Sequence, residues 1–381
     1  MLILVVNCGS SSAKYELFDV EKEKHICKGI VERIGTSSSS LCHEVDGKEF
    51  TKKVDCSDHH KAIEIIRDIL IDKEHGVLSD VGEVGGVGHR VVHGGEEFNT
   101  SILIDDRVLK SIEKFSELAP LHNPPSLEGI QSCMKIFGGV PQIAVFDTAF
   151  HQTMPEEAFC YGIPYEFYKK YGIRKYGFHG TSHRYVSAKA AELLEKPIEE
   201  LNIITVHLGN GCSIAAVAGG RSIDTSMGFT PLEGLLMGTR SGDLDPAVVT
   251  FIMQRENLDV DRVNDILNKE SGLLGVSGVS NDMRDILKSI DEGNERAKLA
   301  YDIFVYRITK YIGAYAAVLG GVDAVVFAGG IGENVPRVKN EIRDQLKHLL
   351  GGSAEFLTIG TNEELLIAKD TYEIAKETVR K

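Results

Sequence analysis

A chain of 381 residues is long enough for two domains rather than one. Its composition, 43% hydrophobic and 26% charged, argues against extensive disorder, and no apolar run approaches the ~20 residues of a membrane span. A net charge of −14 argues against nucleic acid or an anionic membrane as main partner, so a phosphate ligand would have to meet local Arg, Lys, backbone N–H groups or a metal.

The apolar opening Met1–Val6 is stopped by Asn7 short of a signal-peptide core, so Leu2–Val6 reads as a buried strand. It runs into the turn Asn7-Cys8-Gly9-Ser10-Ser11-Ser12 and a second strand over Lys14–Val20. Ser37–Ser40 reads as a surface loop. Lys61–Leu70 sets Ala62, Ile65, Ile66, Ile69 and Leu70 on one helical side behind an Asp58 cap. Arg90 lies in the Gly-flanked stretch Gly88–Gly95, where a buried guanidinium serves either a structural ion pair or a carboxylate or phosphate ligand. Val108, Leu109, Ile112 and Phe115 form another helical face, which Pro120 ends. Asp147 closes the strand Gln142–Phe146, a frequent place for functional side chains in α/β sheets.

Further on, His179 stands between Phe178 and Gly180, while His183 falls where a helix begins and reads as structural. The strand Asn202–Val206, the tip His207-Leu208-Gly209-Asn210-Gly211-Cys212-Ser213 and the strand Ile214–Val217 repeat the opening hairpin. Two such tips facing one another would clamp a polyphosphate, since Gly admits a ligand close to the backbone. Arg240 sits in the Gly/Ser loop Gly238–Asp243. The strand Val322–Phe327 enters the turn Gly329–Asn334, and Pro336 and Gly351 bound a following helix. Thr361 and Glu364 fit a capping box that leaves Glu363 free. The seven cysteines show no C-x-x-C pair, which indicates neither a disulfide framework nor a zinc site and points to a reducing cytoplasm. Strands alternating with helices indicate an α/β protein.

Together these segments resemble the acetate kinase family of the sugar kinase, Hsp70 and actin superfamily. The resemblance rests on Asn7–Ser12 with Lys14, Gly88–Gly95, Pro120–Pro125, Phe146–Pro155, Gly177–His183, His207–Ser213, Asp224–Asp243 and Gly329–Asn334, in that order. It implies two RNase H-like α/β domains with an interdomain active-site cleft: residues 1–149 completed by 363–381, and a nucleotide-binding domain over 150–362. It implies a cytoplasmic homodimer and a reversible, Mg²⁺-dependent transfer (Mn²⁺ substituting) of phosphoryl from ATP to acetate, giving acetyl phosphate and ADP.

By position, the resemblance makes Asn7 and Glu363 the metal residues and Asp147 the active-site carboxylate. Arg90 becomes the substrate-carboxylate arginine, and His179 and Arg240 the stabilisers of the transferring group. Val92, Leu121, Phe178 and Pro231 would wall the acyl pocket. Lys14, His207, Leu208, Gly209, Asn210, Gly211, Asp282, Met283, Arg284, Gly330, Ile331, Gly332, Glu333 and Asn334 would bind the nucleotide. Acetate is already ionised near pH 7, so Asp147 is expected to act through the metal or by orienting an arginine rather than as a base. Propionate or butyrate is the alternative acceptor. A sugar kinase would need a base for its alcohol, and an actin-like filament or chaperone domain would have no use for Arg90, His179 and Arg240. One departure from the family pattern is a short segment between Asn334 and Thr361, with Gly360 where Pro is common.

Overall fold

Thirteen strands build two sheets in the computed structural model, which describes residues 1–119, 122–352 and 354–379. The first sheet holds β1 (Leu2–Gly9), β2 (Ser12–Asp19), β3 (Lys24–Glu32), β4 (Ser40–Val45), β5 (Lys48–Lys53), β6 (Val84–Val91), β7 (Ile102–Leu103) and β8 (Gln142–Phe146). Their spatial order is β5-β4-β3-β2-β1-β6-β8-β7. The second sheet holds β9 (Asn202–Leu208), β10 (Cys212–Ala218), β11 (Arg221–Thr225), β12 (Ala324–Ala328) and β13 (Glu355–Thr358), in the order β11-β10-β9-β12-β13. Both sheets repeat one plan: an antiparallel meander (β1-β2-β3, and β9-β10-β11) whose first strand then pairs in parallel with a later one. That is the expected RNase H-like order, twice.

The chain divides accordingly into a first unit, Met1–Phe150 with Asn362–Lys381, and a second, His151–Thr361. In the first unit β1 is buried on both faces, which is why Leu2–Val6 is a continuous apolar run. Leu4 and Val6 pack with Tyr15, Leu17, Ile63 and Ile66 toward the helices His59–Leu70 and Asn123–Ile136. Ile3 and Val5 share a cluster with Phe18, Ile143 and Val145 and with Ile367, Ala368 and Ala375 of the C-terminal helix Glu363–Val379. A Cβ on Gly88 of β6 would overlap Thr371 Oγ1 and come 2.7 Å from Ile367, so bare backbone there lets this helix settle on the sheet.

The Asp58 cap forms as the sequence predicts, its carboxylate accepting from Lys61 N at 2.8 Å. The cap of the C-terminal helix does not: Asn362 Oδ1 accepts from Leu365 N at 3.0 Å, while Thr361 N donates to Glu333. The amide side chain of Asn362, one residue later, thus replaces the Thr361–Glu364 box. Nor is Ser37–Ser40 all surface. Ser39 is fully buried, its hydroxyl directed at the Arg33 and Thr36 carbonyls, and Ser40 opens β4. The short 335–360 segment keeps a helix, Pro336–Leu346, and the strand β13, parallel to β12.

Candidate active site

In the first unit, β6 carries Arg90, the end of β8 leads to Asp147, and the C-terminal helix begins at Glu363. Asp147 is 2% exposed, and its carboxylate accepts from Arg90 Nε at 3.1 Å and Nη2 at 2.7 Å. Glu363 Oε2 stands 3.9 Å from Arg90 Nε. Five N–H bonds on a guanidinium, less the two that Asp147 takes, leave the Nη1 end of the fork for another anion. Asp147 holds the Arg90 guanidinium firmly protonated against the opposing effect of burial. Burial pushes the Glu363 carboxyl up to about 7, with Asp147 and Glu364 adding to the rise and Arg90 and Lys14 opposing it.

Asn7 and Lys14 are cross-strand partners on one face of the β1–β2 hairpin. They line a cavity of about 380 Å³ with Glu16, Lys28 and Glu364. Among the described residues no three His, Cys, Asp or Glu side chains form a closed metal cage. An amide oxygen on Asn7 and carboxylates on Glu363 and Asp147 are hard donors, suited to a magnesium ion that keeps water and phosphate ligands. Burial first, and then the nearby Asp147 and Glu364, disfavour the Glu363 carboxylate, and a cation bound beside it would favour it again. Val92 directly follows β6, two residues after Arg90, whereas Leu121 lies outside the described residues.

In the second unit, the β9–β10 tip gathers most of the remaining residues. His179 caps the helix Gly180–Leu194 in the left-handed region (φ 55°), a conformation that costs a non-glycine residue about 1 kcal/mol or more. Its ring lies 4.4 Å from that of His207, centroid to centroid. A Cβ on Gly211 would lie 3.3 Å from His179 Nε2 and 3.5 Å from Arg240 Nη1, so an imidazole nitrogen and a guanidinium converge on one bare turn. Among the described residues, Arg240 Nη1 reaches only the Pro231 carbonyl, at 3.4 Å, and the Met237 sulfur. No carboxylate pairs with it among the described residues. Burial lowers the pKa of this guanidinium, the expected direction for a charge held without a counter-ion. Phe178 is buried, and its carbonyl accepts from His151 Nε2.

The nucleotide candidates divide. Gly238 lies against Asn210, and Asn281, absent from the sequence reading, donates to Asn210 Oδ1 at 3.0 Å. Asp282 caps the helix Met283–Asp291 and also grips the exposed Arg284, which holds its acid down at about 2. Met283 is core. Gly330 would meet nothing with a Cβ, so its face of the loop is open. Glu333 turns inward instead, its Oε1 accepting from Gly329 N at 3.0 Å and Thr361 N at 3.1 Å. Asn334 folds back onto the Gly330 carbonyl. Ile331 and Gly332 complete the short helix Gly329–Asn334, and His207, Leu208 and Gly209 lead β9 into the tip.

Sequence reasoning also passed over a buried relay behind His179. His183, Ser213 and Thr205 are fully buried and link Thr205 to His179 by hydrogen bonds of 2.7–2.8 Å. The polar pattern of β9 and β10 was the available signal: hydroxyls and imidazoles at inward positions of otherwise apolar strands.

Residues 2–355 match the model of the acetokinase family. The acetate kinase of Halothermothrix orenii is 56% identical over 397 positions, covering 99% of this chain and 100% of the relative. That alignment is longer than the chain, so the relative carries positions absent here. Among solved structures, acetate kinase from Porphyromonas gingivalis is 44% identical with a TM-score of 0.93, covering 98% of this chain and 99% of its own. A propionate kinase from Francisella tularensis is 42% identical with a TM-score of 0.92 at the same coverage. On this agreement of sequence, fold and motif order, the chain belongs to the acetokinase family.

Proposed function

We propose that this enzyme transfers the γ-phosphoryl group of ATP reversibly to acetate, giving acetyl phosphate and ADP. The observation that carries the reading is the convergence of His179 and the carboxylate-free Arg240 on the Cβ-less Gly211. A buried guanidinium without a counter-ion beside a hairpin tip suits the equatorial oxygens of a phosphoryl group in flight. On the acceptor side, Asp147 aims Arg90 so that its Nη1 end can hold the acetate carboxylate.

One acetate oxygen attacks the γ-phosphorus as the bond to the β,γ-bridging oxygen breaks, and no proton moves. Magnesium, when bound, neutralises charge on the β- and γ-phosphates, and Glu363, Asn7 and Asp147 offer it oxygen donors. The nucleotide would lie along His207–Gly211, Asn210 held by Asn281, and the open face at Gly330, with Lys14 and Arg284 near its phosphates or base. Glu333 and Met283 would act by shaping their loops.

Val92 of the first unit and Phe178 and Pro231 of the second are the described residues proposed to contact the acyl methyl. The propionate kinase match keeps a longer acid in view, since an added methylene is worth only about 1–3 kcal/mol in such a pocket. A homodimer is part of the reading. The helices Tyr165–Tyr171 and Pro246–Glu256 bury none of their residues in the single chain, and Phe167, Tyr171 and Phe251 stay 44–58% exposed. Seven free thiols and the acidic charge fit a cytoplasmic enzyme, and no helix of the described residues is long and apolar enough to cross a membrane.

The test is hydroxylamine trapping with purified protein, ATP, Mg²⁺ and acetate, run in parallel with propionate and butyrate. Acetyl hydroxamate as the fastest product supports the reading. Faster product from propionate moves the acceptor by one carbon, and no hydroxamate from any acid ends the proposal.

A further inference from the structure

Arg90 is aimed by a carboxylate on its own guanidinium, whereas Arg240 has to be aimed through its backbone. Its contact with the Pro231 carbonyl, at 3.4 Å, is longer than an ordinary N–H···O bond and fixes little. The segment that carries it, between β11 and the helix Pro246–Glu256, has no helix or strand of its own. Leu235, Leu236 and Met237 anchor one limb of this loop in the core. Met237 N donates to the Arg240 carbonyl at 3.1 Å, and Ser241 N to the Leu267 carbonyl at 3.0 Å.

Asp243 closes the loop. Its N–H donates to the Gly234 carbonyl at 2.9 Å and its Oδ1 accepts from Gly234 N at 2.8 Å. This pair of bonds ties residues 234–243 into a ring that contains Arg240. Gly234 meets it at φ 109°, and a Cβ there would stand 2.5 Å from the Ser226 carbonyl oxygen, so the junction is tight. The other carboxylate oxygen, Oδ2, accepts from Tyr311 OH at 2.7 Å and lies 3.7 Å from Arg307 Nη1. Arg307 Nη2 also donates to the Asp243 carbonyl at 3.1 Å. Arg307 and Tyr311 are four residues apart, on one face of the helix Glu295–Leu319. A carboxylate and a carbonyl only accept, so chemistry fixes the direction of each of these bonds.

We propose that Asp243, braced by Tyr311 and Arg307, is a positioning residue that sets where the Arg240 guanidinium points without neutralising it. A carboxylate on the guanidinium itself would hold the side chain as firmly, but would match the charge offered to a phosphoryl group. Three residues away, with its oxygens on Gly234 N and the Tyr311 hydroxyl, the same group orders the loop and leaves the cation unpaired. This rests on the reading of Arg240 as the group that faces the transferring phosphoryl.

The experiment is a double-variant cycle on the full chain, read from kcat at saturating ATP, Mg²⁺ and acetate. Asp243→Asn should lower kcat roughly 10- to 100-fold, with KM for ATP and acetate held within about twofold. Added to Arg240→Ala, it should cost less than about twofold more, because its effect passes through a side chain already removed. Tyr311→Phe should lower kcat roughly 3- to 10-fold, and again only where Arg240 is present. Tyr315, one turn further along the helix, supplies the control. Its buried hydroxyl has no hydrogen-bond partner among the described residues, so Tyr315→Phe should turn over within about twofold of wild type. Losses that multiply in the Arg240→Ala background, or equal losses in Tyr311→Phe and Tyr315→Phe, would overturn the inference. If Asp243→Asn does not fold, Tyr311→Phe carries the same cycle. Arg240→Ala turning over within about tenfold of wild type would instead remove the reading beneath it.

Discussion

The two units share a strand order and treat charge in opposite ways. In the first, Arg90 is locked by Asp147 and approached by Glu363, so cation and anions neutralise one another. In the second, Arg240 has no carboxylate partner among the described residues, and its hydrogen bonds go to the Pro231 carbonyl and the Met237 sulfur. A guanidinium whose charge is already matched can orient a small carboxylate and share its neighbourhood with a metal. One whose charge is unmatched suits the anion that would develop in the proposed reaction. On the proposed function, one scaffold used twice would supply an acceptor end and a phosphoryl end.

The largest effect should come from breaking the unmatched side. Arg240→Ala is expected to lower kcat by roughly 10³-fold, read from initial rates at saturating ATP and acetate. A loss under tenfold would mean that the unpaired guanidinium is not facing the transition state. Next is the matched side, where Asp147→Asn leaves Arg90 in place but takes away its anionic clamp. Turnover should drop about 100-fold and the Mg²⁺ requirement should rise with it. Lost turnover with unchanged Mg²⁺ dependence would assign Asp147 a proton instead.

Glu363 sharpens the contrast through pH. Its carboxyl, raised to about 7, must lose a proton before it can hold a cation, so half-saturating Mg²⁺ should climb as pH falls below about 7. Because folding raises this acid, its contribution to stability is complete below the unfolded carboxyl's range and disappears as pH rises through about 7. Mg²⁺ should therefore raise Tm more at pH 8 than at pH 6, and Glu363→Gln should erase that difference. Smallest is Gly88→Ala, whose Cβ would press Thr371 and Ile367 and shift the helix that begins at Glu363. It should cost about 1–3 kcal/mol in urea unfolding and raise the Mg²⁺ requirement, with KM for ATP unchanged. A change confined to the nucleotide would place the helix's influence elsewhere.

Much of this was legible in the chain. Strands buried on two faces announce themselves as apolar runs, so Gln142–Phe146 matches β8 residue for residue and both Gly-rich hairpins lie where the polar turns put them. Asp58 was readable because a cap is a local bond. The edge hairpin β4–β5 was not, since Lys48–Lys53 buries nothing and carries no alternation to detect. The Arg90–Asp147 clamp spans 57 residues, and only the sheet register brings its halves together. Glu333 is similar: its sequence context is a nucleotide loop, and its partner Thr361 N lies beyond the next helix. Ser213 and Thr205 look in sequence like ordinary small strand residues, and their connection becomes visible when His183 lies between them.

The division between a matched and an unmatched arginine is tested most directly by acetate-dependent initial rates of Arg90→Lys and Arg240→Lys, measured side by side. Lysine keeps a point charge and loses the fork. The expected result is a raised KM for acetate in Arg90→Lys with the smaller loss in kcat, and a lowered kcat in Arg240→Lys with KM for acetate nearly unchanged. The same shift in both variants, or the reverse assignment, would contradict it.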